Sequence, residues 1–200
     1  MISLILATYR PGGFDLFARS FAVVESDYEL VVCDDLPGRV ERANASTFLR
    51  ESGINLGWYG KSKPKAYPDA KGGLMNAWNT AISYARGDYL VFVSDYCYLP
   101  LCWPGLWEGV RRHHPPKALV SGGAIVYECP KPVNPGDVSS GVDFSQSRPK
   151  WPWVPWKWEN FYMGAPLEYF LAANGMDERA DHCHCWPVSS QVVQASLLGY

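Results

Sequence analysis

Polar side chains that could bind a ligand directly follow three apolar runs of this 200-residue chain. They are Thr8, Tyr9 and Arg10 after the first run, Asp34 and Asp35 after the second, and Ser94 and Asp95 after the third. Aspartate supplies the oxygen ligands that Mg²⁺ and Mn²⁺ prefer. We interpret the three sets as one small-molecule site, the simpler alternative being that each aspartate only caps a following helix.

The apolar runs themselves are typical of buried β-strands, which we predict at residues 2–8, 28–33 and 89–93. Apolar residues recur with helical spacing at residues 14–24 and 74–85. This alternation predicts an α/β fold, a mostly parallel sheet with helices on its faces. Ligands of such sheets bind beyond the carboxyl ends of the strands, which is where the three polar sets lie.

Weaker patterns extend the prediction to the rest of the chain. We expect a helix-permissive stretch at 39–51, strands at 54–59 and 118–127, a lysine-containing loop at 60–72, and helices at 165–173 and 188–198. Residues 128–160 hold six prolines, which is typical of a functional lid or a disordered insert.

The composition favours one folded domain in the cytoplasm. Hydrophobic residues make up 48% of the chain and charged residues 19%, and the net charge of −2 argues against a nucleic-acid surface along the whole chain. The sequence shows no secretory leader and no apolar run of the roughly 18 residues that a membrane span needs. Six cysteines without disulfide-scaffold spacing indicate a reduced compartment.

Four segments together resemble the family 2 glycosyltransferases, which have the GT-A fold. They are ISLILATYRP at residues 2–11, ELVVCDD at 29–35, GGLMNAWNTAISYARGDYLVFVSD at 72–95 and NGMDERAD at 174–181. The resemblance covers most of residues 1–127 and 161–200. It implies a Rossmann-like sheet in one domain: a nucleotide-sugar-binding part at 1–127, a Pro/Trp-rich loop at 128–160, and an acceptor and catalytic part at 161–200.

The activity implied by the resemblance is an inverting transfer of a sugar from a nucleotide-diphosphate donor, with a UDP-sugar favoured, to an acceptor hydroxyl. Mn²⁺ or Mg²⁺ would neutralise the departing diphosphate. The donor-binding residues carried over are Thr8, Tyr9, Arg10, Asp34, Asp35, Lys71, Gly73, Ser94 and Asp95. Lys71 could reach the diphosphate, or it is a solvated loop lysine.

The metal motif departs from the family pattern, since Val93 stands where the first aspartate of Asp-x-Asp is expected. Asp95 matches the last aspartate and is the expected metal ligand. His182 or His184 could join it and compensate for Val93. The alternatives are a zinc site with Cys97 or Cys102, and no metal role for the His-Cys-His-Cys run.

The catalytic end also departs from the pattern, because the register of the usual Glu-Asp pair falls on Pro187 and Val188. Asp181 is the favoured general base, with Glu178 and Asp177 as alternatives. The simpler interpretation is that Asp177 and Glu178 hold loop backbone and that Asp181 is merely exposed.

Trp153, Trp156 and Trp158 lie in a Pro-rich segment and are expected to form an acceptor platform, because planar rings stack on sugars and bases. The alternative is that this segment folds back over the core. The acceptor stays open among a glycan, a small molecule, a protein and, as a minority hypothesis, a hydroxymethylated base of viral DNA.

Two other function classes remain beside the transferase. The first is a GT-A-like nucleotide- or glycan-binding protein without activity, in which Val93 and the missing Glu-Asp pair would account for the loss of catalysis. The second is a nucleotidyltransferase, which is disfavoured because the sequence lacks the Gly-rich basic N-terminal loop of those enzymes.

Overall fold

The computed structural model describes residues 1–9, 27–38, 44–68, 73–95, 98–99, 102–113, 119–121, 126–127, 131–132, 142–143, 149–151 and 162–182. The strands are β1 (Ile2–Thr8), β2 (Tyr28–Asp34), β3 (Leu56–Gly60), β4 (Tyr89–Ser94), β5 (Val120–Ser121), β6 (Val126–Tyr127), β7 (Lys131–Pro132), β8 (Val142–Asp143), β9 (Pro149–Trp151) and β10 (Tyr162–Pro166). The helices are α1 (Asn44–Glu51), α2 (Leu74–Tyr84), α3 (Trp103–His113), α4 (Leu167–Ala172) and a 3₁₀ helix at Glu178–His182.

A six-stranded sheet in the order β3-β2-β1-β4-β10-β5 organises the described residues. β1 pairs in parallel with β2 and β4, and β2 pairs in parallel with β3. β10 is antiparallel to both of its neighbours, so five of the six strands point the same way. The mostly parallel α/β sheet predicted from the sequence is confirmed.

Two apolar clusters cover the two faces of this sheet. Leu4 and Leu6 face a cluster that includes Trp103 and Trp107 of α3 and also Leu49 of α1. Ile5, which points the opposite way from the same strand, joins a cluster built from α2 and α4. With apolar layers on both sides, β1, β2 and β4 are buried over almost their whole length, which explains why their sequences are mostly apolar.

A buried carboxylate fixes the amino-terminal end of the sheet. Glu29 of β2 accepts hydrogen bonds from the Ser3 hydroxyl at 2.7 Å and from the Arg86 backbone at 2.6 Å, and it forms an ion pair with the Arg86 guanidinium at 2.6 Å. Ser3 in turn accepts a hydrogen bond from the backbone of Gly87 at 2.8 Å. These bonds tie β1, β2 and the turn before β4 together, opposite to the end where the predicted site lies.

The structure confirms the strands predicted at residues 2–8, 28–33, 54–59 and 89–93 and the helix predicted at 74–85, with small changes of boundary. The helix-permissive stretch at 39–51 forms α1 within the described residues. The helices expected at 14–24 and 188–198 lie outside them. No helix in the described part of the chain combines the length and the apolar character that crossing a membrane requires.

One prediction of secondary structure is wrong. The single strand expected at 118–127 is split between β5, in the main sheet, and β6, which pairs with β9 in a separate two-stranded sheet. The sequence between them contains Gly122 and Gly123, and glycine weakens a strand interior. The helix predicted at 165–173 is confirmed over a shorter range, since α4 begins at Leu167, directly after the last residue of β10.

Helix α3 was not predicted, although its sequence contains a signal. Trp103, Trp107 and Val110 recur at helical spacing, and Pro104 suits a first helical turn. Within residues 128–160, β7 pairs with β8, and β9 pairs with β6, which directly precedes this segment.

Candidate functional site

The carboxyl ends of β1, β2 and β4 form a polar rim. Strand register places Thr8 opposite Asp34 and Ala7 opposite Ser94, so Asp95 follows level with Thr8. The Thr8 hydroxyl donates a hydrogen bond to Asp95 Oδ2 at 2.7 Å, and the Ser94 hydroxyl lies 3.3 Å from Asp95 Oδ1. The rim therefore brings together the predicted residues of three separate strands.

Asp34 and its environment form the buried part of the rim. Its side chain is 0% exposed, and its oxygens accept hydrogen bonds from the Tyr59 hydroxyl at 2.5 Å and from the Leu36 backbone at 3.0 Å. Burial raises the pKa of the adjacent Cys33 thiol far above its ordinary value, and the two neighbouring carboxylates add to the effect. Cys33 is therefore a neutral core residue beneath the rim.

Asp35 is the accessible carboxylate at the end of β2. Its backbone N–H donates to the Thr8 carbonyl at 2.8 Å, which joins the two strand ends. Ser62 donates to both carboxylate oxygens, from its backbone N–H to Oδ1 at 3.0 Å and from its hydroxyl to Oδ2 at 2.9 Å. Tyr9, at the end of β1, is 66% exposed. A ligand on the rim would thus meet Asp35 and Tyr9.

A second polar cluster surrounds the amino-terminal end of α2. Gly73 is the N-cap and has no capping side chain, and the Asp181 carboxylate accepts the hydrogen bonds of the Met75 and Asn76 N–H groups at 2.8 and 3.1 Å. A carboxylate in this position is stabilised by the helix dipole. Burial nevertheless raises the pKa of Asp181 above its ordinary value.

Glu178 lies in the same cluster and is held by two side chains. Lys63 Nζ approaches Glu178 Oε1 at 2.7 Å, and Asn79 donates to the same oxygen at 2.8 Å. Burial alone would raise the pKa of Glu178, but the hydrogen bonds from Asn79 and Lys63 lower it below its ordinary value. Asp177 pairs instead with Arg179, and the hydrogen bonds from Arg179 lower the pKa of Asp177.

Asn79 joins α2 to the segment that carries these carboxylates. Its Oδ1 accepts the Met176 N–H at 2.7 Å, and its Nδ2 donates to the Met176 carbonyl at 2.9 Å. Gly175 precedes this contact with a φ of +83°, and a Cβ there would meet Asn79 Oδ1 at 2.6 Å. The third and fourth segments of the family resemblance are therefore bound to each other.

The loop after β3 connects the rim with the α2 cluster. Ser62 binds Asp35, and its neighbour Lys63 donates its backbone N–H to the Thr80 hydroxyl at 3.0 Å while its ammonium pairs with Glu178. The Pro64 carbonyl lies 3.4 Å from Asn76 Nδ2. Three consecutive residues therefore contact both halves of the candidate site.

Several predicted site residues lie outside the described part of the chain: Arg10, Lys71, His184, Trp153, Trp156 and Trp158. The same holds for Cys97 of the alternative zinc site and for the side chain of His182, whose backbone ends the 3₁₀ helix. Gly73 is described; a Cβ there would meet Lys65 Cε at 3.0 Å, so Lys65 lies beside the α2 cluster.

Three residues that contact the predicted site residues were not singled out from the sequence: Tyr59, Ser62 and Asn79. The loop containing Ser62 and Lys63 was predicted as exposed, but its attachment to Asp35 and Glu178 depends on pairing between distant segments. Asn79 lies within a motif of the resemblance, which indicated its importance without indicating its partner.

Metal ligands were predicted at Asp95, His182 and His184. Among the described residues, no group of three His, Cys, Asp or Glu side chains could hold a metal ion. Asp95 is 4% exposed and lies at the rim with oxygen donors of the kind that Mg²⁺ and Mn²⁺ accept. A small apolar recess lined by Phe92, Met163 and Tyr169 lies in the core and offers no polar group for this chemistry.

Solved structures of S. aureus TarS share this fold. TarS 1–349 matches with a TM-score of 0.54 and 16% identity over 88% of this chain and 50% of that chain. The fold is GT-A. The TarS complex with UDP has a TM-score of 0.56 and 15% identity over 91% of this chain and 52% of that chain. For the UDP-GlcNAc complex the values are 0.52 and 15%, over 88% and 48%.

The chain spans about half the length of each of these TarS chains. No protein-family model and no curated protein matches the sequence. The comparisons therefore show the architecture, in agreement with the expectation of a GT-A fold from the sequence.

Proposed function

We propose that this protein transfers a sugar from a nucleotide-diphosphate sugar, with a UDP-sugar favoured, to an acceptor hydroxyl. One observation carries the proposal: Thr8, Asp35 and Asp95 meet at the carboxyl ends of three parallel strands in a GT-A sheet. The similarity to TarS structures with UDP and with UDP-GlcNAc supports the choice of donor.

The rim binds the donor in this proposal. Carboxylates accept hydrogen bonds, so Asp35 suits the hydroxyl and N–H groups of a nucleoside. Tyr9 is exposed beside it and offers a ring on which a base can stack. Asp34 is buried against Tyr59 and supports the rim from below. Arg10 and Lys71 remain proposed contacts to the nucleotide and its diphosphate.

The residues at the end of β4 fit a divalent cation. Mg²⁺ and Mn²⁺ are usually held by one or two carboxylates together with phosphate oxygens and water. Asp95 would supply the carboxylate, and His182 or His184 a further ligand. The cation would neutralise charge on the leaving diphosphate.

The acceptor hydroxyl attacks the anomeric carbon, the bond from that carbon to the diphosphate breaks, and the hydroxyl proton passes to a base. Asp181 is the proposed base, because its raised pKa makes it a stronger base than an ordinary aspartate. Glu178 and Asp177 are the alternatives, but each is paired with a cation. Trp153, Trp156 and Trp158 are the proposed acceptor platform.

The test measures binding first and turnover second. Calorimetric titration with UDP, GDP, CDP, dTDP and UMP, each with Mn²⁺ and again with EDTA, should give binding of one diphosphate that weakens without metal. Release of that diphosphate from its sugar ester should then be followed with candidate acceptors, namely glycans, small polyols and hydroxymethylated DNA.

Two aspartate variants at opposite ends of β4 make a matched pair for this test. Asp95→Asn should weaken metal-dependent binding by at least tenfold. Asp88→Asn removes a carboxylate at the other end of the sheet, where it pairs with Arg111 at 2.7 Å, and should leave binding unchanged. Failure of every diphosphate to bind would refute the proposal.

A catalytically inactive nucleotide- or glycan-binding protein is the second candidate function. This function is favoured because each of the three candidate bases already has a structural role. Asp181 caps α2, Glu178 pairs with Lys63, and Asp177 pairs with Arg179. Metal-dependent binding of a diphosphate without any release from its sugar ester would support this second function.

A further inference from the structure

Ser62 donates two hydrogen bonds to the Asp35 carboxylate at the rim. Both Asp35 oxygens are occupied by the same residue, one by the Ser62 backbone N–H at 3.0 Å and the other by the Ser62 hydroxyl at 2.9 Å. Two donors from one residue fix both the position and the plane of the carboxylate. The orientation of Asp35 therefore depends directly on Ser62.

The place of Ser62 is itself fixed on both sides. Two residues before it, β3 ends at Gly60, which pairs with Cys33 next to the rim aspartates. The following residue, Lys63, is anchored through its backbone to Thr80 and through its ammonium to Glu178. Ser62 is thus held between the sheet and α2, and it can hold Asp35 without ordering a free loop at the moment of binding.

The unused acceptor positions of Asp35 face a ligand under the proposed function. Each carboxylate oxygen has two lone pairs, and Ser62 engages one hydrogen bond at each oxygen. The carboxylate is partly exposed, whereas neighbouring Asp34 is fully buried. Asp35 therefore keeps acceptor capacity for ligand hydroxyl or N–H groups while its rotamer is already set, which lowers the entropy cost of binding.

We infer that Ser62 is a positioning residue that sets the affinity for the nucleoside part of a nucleoside diphosphate by orienting Asp35. The inference rests on the proposed function and adds to it a residue outside the polar ends of the strands. Ser62 touches no reacting atom in this scheme, so its loss should weaken binding of the donor without slowing the chemical step.

The experiment compares Ser62→Ala with Ser62→Thr and with a control at Ser52. Ser62→Ala removes the hydroxyl bond and should raise the Kd of UDP, or of whichever diphosphate binds, by about tenfold. Ser62→Thr keeps a hydroxyl and should restore most of the affinity. The Ser52 hydroxyl donates to the Phe48 carbonyl at 2.8 Å in the turn between α1 and β3, before the end of β3 that is opposite to the rim, so Ser52→Ala should bind like the wild type.

With a sugar donor, Ser62→Ala should raise KM and leave kcat within about twofold of the wild type. A merely structural role would lower the folded fraction and hence kcat, and would not raise the Kd. If the wild type binds a diphosphate and Ser62→Ala binds it equally well, the inference is wrong and the proposed function stands. If the wild type binds no diphosphate, the proposed function fails and this inference fails with it.

Discussion

Asn79 and Met176 hold each other by a pair of reciprocal hydrogen bonds, although 97 positions separate them in the sequence. The side-chain amide of Asn79 accepts a hydrogen bond from the Met176 N–H and donates one to the Met176 carbonyl. A residue of a paired β-strand would make the same two bonds. This contact attaches the segment with Asp177, Glu178 and Asp181 to α2. The Asn79 side chain therefore helps to position the candidate catalytic carboxylates, together with the α2 N–H groups that bind Asp181 and with Lys63, which binds Glu178.

Replacing Asn79 should destabilise the protein more than an ordinary asparagine substitution. Asn79→Ala removes one bond to Glu178, which Lys63 still contacts, and both bonds to Met176, whose N–H and carbonyl lose this partner; it should cost about 2–4 kcal/mol in the free energy of unfolding. Asn55 makes a single bond to the Tyr28 carbonyl, so Asn55→Ala should cost about 1 kcal/mol. Urea denaturation measures both, and equal losses would contradict the proposed importance of Asn79.

Gly175 should tolerate alanine less well than another glycine of similar backbone conformation. Gly175 and Gly38 have φ values of +83° and +73°, but an added Cβ meets Asn79 Oδ1 at 2.6 Å only in the first case. Gly38→Ala should cost about 1–2 kcal/mol from backbone conformation alone, and Gly175→Ala about 1–3 kcal/mol more.

The excess cost of Gly175→Ala should disappear when Asn79 is also alanine, because the clash is then removed. A thermodynamic cycle of the two single variants and the double variant measures this coupling. Strict additivity of the two losses would show that the Cβ of residue 175 does not press on Asn79.

Glu29 should make stability depend on pH in the acidic range. Burial alone would raise the pKa of Glu29, but the bonds from Ser3 and Arg86 lower it below its ordinary value. The unfolded chain therefore binds more protons in mildly acidic solution, and stability should fall as the pH drops through the ordinary glutamate range and on to the folded-state pKa.

Glu29→Gln should flatten that pH dependence and cost about 1–3 kcal/mol at neutral pH, because the amide cannot accept all the hydrogen bonds of Ser3 and Arg86, while the Arg86 guanidinium, which is 63% exposed, stays solvated. Glu108 pairs with Arg111 and Arg112 on the surface of α3, and Glu108→Gln should cost at most about 1 kcal/mol. Thermal unfolding between pH 3 and 8 compares the two variants. An unchanged pH slope in Glu29→Gln would exclude Glu29 as its source.

If Asp181 is the general base, its pKa should set the acidic limb of the dependence of kcat on pH. Because burial raises the pKa of Asp181, this limb should lie above the ordinary aspartate value of about 3.9. Asp181→Asn keeps one oxygen to cap α2, so it should lower kcat by about 100-fold or more and cost only about 1 kcal/mol of stability. A kcat within tenfold of the wild type would transfer the role to Glu178 or Asp177.

The strands of the parallel core were predictable because they are buried on both faces. Residues 2–8, 28–34 and 89–94 are continuous apolar runs ended by polar groups, and the rule that ligands bind at the carboxyl ends then located Asp34, Asp35 and Asp95. To predict that these residues lie close together, it was enough to predict that β1, β2 and β4 run parallel.

Contacts between distant segments were not predictable in the same way. The hydrogen bonds of Ser62 to Asp35 and of Asn79 to Met176 depend on the tertiary position of a loop and of a turn. The hydrophobic periodicity of the sequence does not determine that position. β10 escaped prediction because its five residues, YMGAP, lack alternation and lead straight into α4. The resemblance marked the motifs on both sides of the Asn79 contact without revealing the contact.

The reversed strand β10 also bears on how the chain assembles during synthesis. It lies between β4 and β5, yet it follows β4 by more than 60 positions in the chain. Until residues 162–166 leave the ribosome, a nascent chain that has already formed β1–β4 presents the open edge of β4, with unpaired backbone groups that favour aggregation. Arrival of β10 closes that edge and brings Asn174–His182 to α2, so the sheet and the candidate catalytic segment are completed in one late step.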